Sequence, residues 1–180
     1  MPIWILVLVV TLTWCTILAA ELTGAAVEDV KNPLGGGQTR GVSIFPEGML
    51  EFGLYVKDVS RASSFYHNLF GFPVLLSKER IAALDVEGKQ ILLLFKHGAS
   101  SEPMTVPGGG LLPPHDGEGT SHVAFAIREC DLQGWEQWLQ QQDVEVEIKV
   151  EWEEGGWSLY FRDPDGHLLE LMTPGVWETY

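Results

Sequence analysis

The sequence SLYFRDPDGHLLEL, residues 158–171, is the most informative stretch of this chain. Two runs of strand-forming residues, Ser158–Arg162 and Leu168–Met172, flank the polar segment Asp163–Gly166. Because proline presets φ and glycine accepts a positive φ, this segment predicts a tight turn between antiparallel strands. One acidic residue, Glu170, interrupts the apolar second strand, where an unpaired buried carboxylate would be costly.

The chain contains two related halves, of which this hairpin closes the second. The segment EFGLYV at Glu51–Val56 matches HVAFAI at His122–Ile127, and Ile91–Gly98 matches Leu168–Gly175. Self-similarity of this kind indicates two copies of one structural unit. Each half has a strand, then a helix, then further strands, which predicts an α+β domain.

Capping residues and periodicity place the helices and one more strand. The first helix is expected between Asp58, a suitable N-cap, and Gly71, a natural terminator. The second is expected from about Asp131 to Gln142. Residues 144–150 then alternate valine or isoleucine with charged side chains, which predicts a half-buried strand.

Three of the predicted strands carry an ionisable side chain at comparable places. Since side chains alternate along a strand, Glu51 and His122 lie opposite the bulky apolar face of their strands. Taken singly, both are more commonly solvated or hydrogen-bonded, but their matching positions in a repeated unit favour a shared role. A metal ion bound by Glu51, His122 and Glu170 would remove the cost of burying Glu170. Two carboxylates and one imidazole suit a divalent ion with open positions.

The charge of the chain excludes one class of partner. There are 11 Lys and Arg residues against 25 Asp and Glu residues, a formal net charge of -14. Phosphate backbones are bound by clusters of Lys and Arg, so no nucleic-acid partner is expected. The two cysteines, Cys15 and Cys130, define neither a disulfide framework nor a cysteine zinc site.

The beginning of the chain has a separate character. Residues 3–20 contain no charged side chain, so residues 1–20 read as a signal peptide or a membrane anchor. Residues 21–48 read as a linker and residues 49–180 as the domain. The protein is then secreted, periplasmic or membrane-anchored, and membrane attachment would run through residues 3–20. If the start of the chain is instead assigned too far upstream, so that residues 1–20 are not a targeting segment, the protein is cytoplasmic.

The segments EFGLYVKDVSRASSFYHNLFGF (51–72), SHVAFAI (121–127) and SLYFRDPDGHLLEL (158–171) resemble the vicinal-oxygen-chelate superfamily of glyoxalases, bleomycin-resistance proteins and dioxygenases. The resemblance implies two βαβββ modules that form a cupped, mostly antiparallel sheet around a metal site. It places the metal ligands at Glu51, His122 and Glu170. It further implies a divalent cofactor (Zn, Ni, Mn, Mg or Fe) and a homodimer.

The activity implied by the resemblance is that of a metal-dependent glyoxalase I-like lyase or isomerase, similar to lactoylglutathione lyase. Its small substrate would be chelated through adjacent oxygens. Glu51 and Glu170 would be the catalytic acid–base residues. Three further residues would contact the substrate: Tyr55, Ser158 and Tyr160.

Two other activities stay open. An extradiol-type ring-cleaving dioxygenase would prefer two histidines and one carboxylate for Fe(II), and Glu51 departs from that pattern. A non-enzymatic protein that sequesters small molecules such as drugs would generally lack the three ligands. Glyoxalase I itself has a fourth ligand on the last strand of the first module. The repeat places Leu93 there, which cannot bind a metal.

Overall fold

Two units of the same topology follow each other in this computed structural model, which describes residues 46–180. The first contains β1 (Glu51–Val56), α1 (Val59–Phe70), β2 (Val74–Ser77), β3 (Ile81–Val86) and β4 (Gln90–Lys96). A short hairpin of β5 (Met104–Thr105) and β6 (Leu111–Leu112) comes next. The second unit contains β7 (His122–Ala126), a 3-10 turn (Glu129–Asp131), α2 (Leu132–Gln141), β8 (Ile148–Glu151), β9 (Trp157–Arg162) and β10 (Leu168–Met172). We call residues 51–96 the first module and residues 122–172 the second module.

The two modules have the same strand order and the same register. The first sheet runs β1-β4-β3-β2 and the second runs β7-β10-β9-β8. In each sheet the first and last strands of the module are parallel and the other pairs are antiparallel. Gly53 lies opposite Leu93 in the first sheet, and Ala124 lies opposite Glu170 in the second. The predicted α+β fold of two repeated modules is confirmed, with the strands in two separate four-stranded sheets.

Local sequence explains the helix boundaries. The side chain of Asp58 accepts a hydrogen bond from the Arg61 amide at 3.0 Å, which satisfies an otherwise unpaired donor of α1. Gly71 ends the helix with a φ of 75° in the left-handed region, as expected for a glycine terminator. The second helix lies within its predicted range.

The strand predicted at 144–150 is wrong in its first half, because β8 begins only at Ile148. Asp143 has a φ of 57°, and the Val144 amide donates to the Leu139 carbonyl at the end of α2. These residues therefore complete the helix terminus before the chain joins the sheet. The alternating valines, Val144 and Val146, still pack against the core.

One buried apolar cluster contains side chains of both modules. The members with no exposed surface include Val56, Leu92, Leu94, Phe161, Leu169 and Leu171. Phe52 of β1 and Phe125 of β7 pack against this cluster with ring centroids 6.3 Å apart. Since side chains alternate along a strand, the opposite faces of β1 and β7, which carry Glu51 and His122, point away from the core.

The predictions about the beginning of the chain stay predictions. The signal peptide or anchor at residues 1–20 and nearly all of the linker at 21–48 lie outside the described residues. Within residues 46–180, no helix is long and apolar enough to cross a membrane.

Candidate metal centre

His122 and Glu170 face each other across the parallel strands β7 and β10. The imidazole Nε2 lies 3.0 Å from the carboxylate Oε2. The two side chains differ in exposure, because His122 is 51% exposed whereas Glu170 is 1% exposed. The pair is therefore an accessible imidazole above a carboxylate that is held inside the protein.

The other carboxylate oxygen of Glu170, Oε1, is left unsatisfied among the described residues. Oε1 is buried and has no hydrogen-bond partner among the described residues. Removing a carboxylate oxygen from water without replacing its hydrogen bonds is costly. A divalent cation would provide the missing interaction, and imidazole and carboxylate are ligands that Mn²⁺, Ni²⁺, Zn²⁺ and Fe²⁺ accept. The residues present thus fit a metal ion.

Tyr160 borders this pair from β9. Its Cα is opposite that of Glu170, and its ring centroid is 6.0 Å from that of His122. Burial raises the pKa of Tyr160, and the nearby negative carboxylate of Glu170 raises that pKa further. Tyr160 is therefore a neutral phenol at neutral pH and can donate a hydrogen bond.

Ser158 has a different environment from the one expected of a substrate contact. It lies on the same strand face as Tyr160 but has no exposed surface. Its Oγ accepts a hydrogen bond from Trp152 Nε1 at 2.8 Å. Tyr160 is consequently the more accessible of the two predicted contacts on β9.

Glu51 does not join His122 and Glu170 within the described part of one chain. Its side chain is exposed, and no group of three His, Cys, Asp or Glu side chains in residues 46–180 is arranged to hold a metal ion. Two of the three predicted ligands are therefore together and the third is apart. Binding by all three stays a prediction. Leu93 occupies the first-module position that matches Glu170.

Tyr55 shares the strand face of Glu51 and belongs to a cluster that the sequence did not reveal. Its hydroxyl lies 2.9 Å from Nδ1 of His115, and its ring stacks on Phe95 at 5.6 Å between centroids. Burial raises the pKa of Tyr55, and the negative charge of Asp116 raises it further. His115 lies in an irregular segment between the modules, where no periodic pattern indicates its contacts.

His167, which adjoins the turn before β10, has a buried side chain. Its place beside a turn predicts a surface residue, yet its side chain is 1% exposed. Both ring nitrogens are hydrogen-bonded, Nδ1 to the Ser121 amide and Nε2 to the Tyr55 carbonyl, each at 2.9 Å. No local sequence pattern predicts this burial, because the contacts join residues far apart in the chain.

Comparison with known proteins decides the family. The family model of the Glyoxalase/Bleomycin resistance protein/Dioxygenase superfamily matches residues 48–171. The chain belongs to this superfamily. The matched range covers more than half of the chain, so the resemblance drawn from the sequence is confirmed.

Individual members of the superfamily are similar to this chain. Metallothiol transferase FosB of Bacillus licheniformis is 34% identical over 124 residues, which cover 68% of this chain and 73% of that protein. FosB of Staphylococcus saprophyticus is 28% identical over 119 residues, covering 66% of this chain and 71% of that protein. The crystal structure of lactoylglutathione lyase from Agrobacterium tumefaciens superimposes with a TM-score of 0.67 at 27% identity, covering 74% of this chain and 98% of that one.

Proposed function

We propose that this superfamily member is a metal-dependent enzyme that acts on a small substrate bound to the ion through adjacent oxygens. The observation that carries the proposal is the buried, unpartnered Oε1 of Glu170 beside the accessible imidazole of His122. A protein that only sequesters small molecules would gain nothing from burying such a carboxylate, which is costly without a cation.

The third ligand, Glu51, would come from a second copy of the chain. In the described sheets, β1 and β7 each pair with a single neighbour, so each has a free edge. Glu51 and His122 are exposed in one chain, and the sheets turn their apolar faces to the shared core. A homodimer that sets β1 of one copy beside β7 of the other would bring Glu51 to His122 and Glu170.

Each residue of the site has a distinct role in this proposal. The ion would supply a Lewis acid that polarises the chelated oxygens. Glu170 and His122, whose carboxylate and imidazole lie 3.0 Å apart, would hold the ion together. Tyr160, kept neutral by its raised pKa, donates a hydrogen bond toward the substrate oxygens. Glu51, the exposed carboxylate, would accept a proton from the substrate.

The substrate class that we propose is an adduct, or a reacting pair, of a small electrophile and a low-molecular-weight thiol. The glyoxalase-like reaction, a lyase or isomerase step on a thiol adduct, is supported by the likeness to lactoylglutathione lyase. Thiol transfer is the second candidate. It is favoured by the metallothiol transferase relatives and by Leu93, which replaces the fourth ligand of glyoxalase I. A ring-cleaving dioxygenase is disfavoured, because the predicted ligands include one histidine instead of two.

An assay of thiol chemistry tests the proposal. The full chain, loaded in turn with Mn²⁺, Ni²⁺, Zn²⁺ or Fe²⁺, is mixed with glutathione and an α-ketoaldehyde or an epoxide. Metal-dependent formation of a thioester supports the lyase reaction, and a stable thioether supports transfer. If neither product forms faster than with His122→Ala under any metal, the proposed chemistry is wrong.

Complementation tests the shared site. Glu51→Gln and His122→Ala are each expected to be inactive, because every site then lacks one ligand. When the two variants are unfolded together and refolded, mixed dimers regain one intact site, and part of the activity returns. A site built within a single chain would give no recovery.

A further inference from the structure

His167 hydrogen-bonds to β1 and to the residue just before β7, and it directly precedes β10. It lies at the end of the turn before β10, three residues ahead of Glu170. Its Nδ1 is 2.9 Å from the amide of Ser121, the residue that precedes His122. Its Nε2 is 2.9 Å from the carbonyl of Tyr55, on the strand that begins with Glu51. One side chain thus connects β1, β7 and β10.

The hydrogen-bond partners determine which nitrogen of the His167 ring carries the proton. The Ser121 amide can only donate, so Nδ1 must accept, and the Tyr55 carbonyl can only accept, so Nε2 must carry the proton. The ring is fully buried, at 1% exposure, and both nitrogens are satisfied. A buried side chain with two directional partners has little freedom, so it holds the three backbone segments at fixed distances.

The turn that carries His167 is itself anchored to the first module. Asp163 Oδ1 accepts from the His167 amide at 2.8 Å, and its Oδ2 accepts from the Tyr66 hydroxyl at 2.9 Å. Asp165 Oδ1 accepts from the Lys57 amide at 2.8 Å, just after β1. The imidazole is therefore held in place by contacts at both ends of the turn.

We propose that His167 is a positioning residue for the metal site, which sets the place of His122 through Ser121 and the place of β1 through Tyr55. This inference rests on the metal site proposed above. His167 does not contact the ion. It acts on ligand placement, as residues behind a metal ligand do, and such residues typically change metal affinity by about 10–100-fold.

Two conservative substitutions separate the contributions of the two hydrogen bonds of the imidazole. His167→Asn keeps an acceptor near the Nδ1 position and loses the contact with Tyr55. His167→Gln places an amide donor near the Nε2 position and loses the contact with Ser121. Trp138→Phe is the matched control, because it removes a different contact between the modules, the bond of 2.8 Å from Trp138 Nε1 to the Leu69 carbonyl.

The measurements are Mn²⁺ affinity by titration calorimetry and, without metal, amide hydrogen exchange at Ser121. We expect His167→Gln to speed exchange at Ser121 and to weaken Mn²⁺ binding by about 10–100-fold. His167→Asn should keep Ser121 protected and weaken binding less. Trp138→Phe should change neither quantity. The inference is overturned if exchange at Ser121 rises without loss of affinity, or if the control loses as much affinity as His167→Gln.

A third readout keeps this inference separate from the metal proposal. If the wild type binds none of Mn²⁺, Ni²⁺, Zn²⁺ and Fe²⁺, the proposed function fails, and the ring nitrogen chemical shifts of His122 then report its contact with Glu170. These shifts should change in His167→Gln and stay constant in Trp138→Phe. Constant shifts in His167→Gln would overturn the positioning role.

Discussion

The two modules share one topology and one register but differ in the side chains on their site faces. Where the second module has Glu170, the first has Leu93, and where the second has Tyr160, the first has Ala83. The carboxylate of the first pair and the phenol of the second pair both belong to the second module. The comparison shows that the backbone of a duplicated unit can stay constant while the chemistry concentrates in one copy.

The remaining pair of matched residues, Glu51 and His122, is the part of the site that both modules retain. His122 lies 3.0 Å from a carboxylate of its own sheet, whereas Glu51 has the apolar Leu93 two positions along the neighbouring strand. The first module therefore has one of the predicted ligands and the second has two. Substitutions at the matched positions test this asymmetry between the modules.

The largest effect is expected when Glu170 of the second module is replaced by leucine, the residue at the matching position 93 of the first module. Glu170→Leu should remove Mn²⁺ binding. It should also raise the free energy of unfolding of the metal-free protein by about 1–2 kcal/mol, because a buried carboxylate with an unpaired oxygen is replaced by an apolar group. Chemical denaturation with and without Mn²⁺ measures both. Leu93→Gln is the control, which should leave Mn²⁺ binding unchanged. A less stable metal-free Glu170→Leu would contradict this description of the site.

A smaller effect is expected from the contact that docks the second module's turn on helix α1. Tyr66→Phe removes the hydrogen bond to the Asp163 carboxylate and should cost about 1.5–3 kcal/mol. Burial, then the charge of Asp163, raises the pKa of Tyr66 above its ordinary value of 10.0. Folding therefore favours the neutral phenol, and this stabilisation is complete below pH 10 and declines at higher pH.

The comparison of wild type and Tyr66→Phe over pH checks that sign. The difference in unfolding free energy should be constant from pH 7 to about pH 9 and should shrink above pH 10. A difference that grows with pH would show that Tyr66 is not held as a neutral donor.

The smallest effect concerns the two tyrosines of the site faces. Burial raises the pKa of both, and the next contribution comes from Asp116 for Tyr55 and from Glu170 for Tyr160. Because a negative charge disfavours the phenolate, Glu170→Gln should lower the pKa of Tyr160 alone. Asp116→Asn should lower that of Tyr55 alone. Titration of ¹³C-labelled tyrosine by NMR resolves the two, and a shift of both tyrosines in either variant would mean that the faces are not independent.

Most of the fold could be predicted from the sequence, because local signals and the global fold agree. The cap at Asp58, the terminator at Gly71 and the turn before β10 each act over a few residues and appear where expected. The strand predicted at 144–150 was too long, because alternation reports burial and not strand pairing. Val144 is instead partly buried at the helix terminus, where its amide donates to the Leu139 carbonyl.

The site could be predicted in part. Glu170 was recognisable because an acidic residue in an apolar strand requires a partner. The burial of His167 and the contact of His115 with Tyr55 depend on contacts between distant segments, so no sequence pattern indicates them. The separation of Glu51 from His122 within one chain also depends on how the modules pack, which a repeat in the sequence does not specify.

Titration calorimetry with Mn²⁺ on the wild type and on His122→Ala tests the central claim most directly. We predict that the wild type binds one ion per chain and that His122→Ala weakens binding by more than about 100-fold, beyond the range typical of residues behind the ligands. Equal affinities in the two proteins, or a wild type that binds none of Mn²⁺, Ni²⁺, Zn²⁺ and Fe²⁺, would contradict a metal centre at His122 and Glu170.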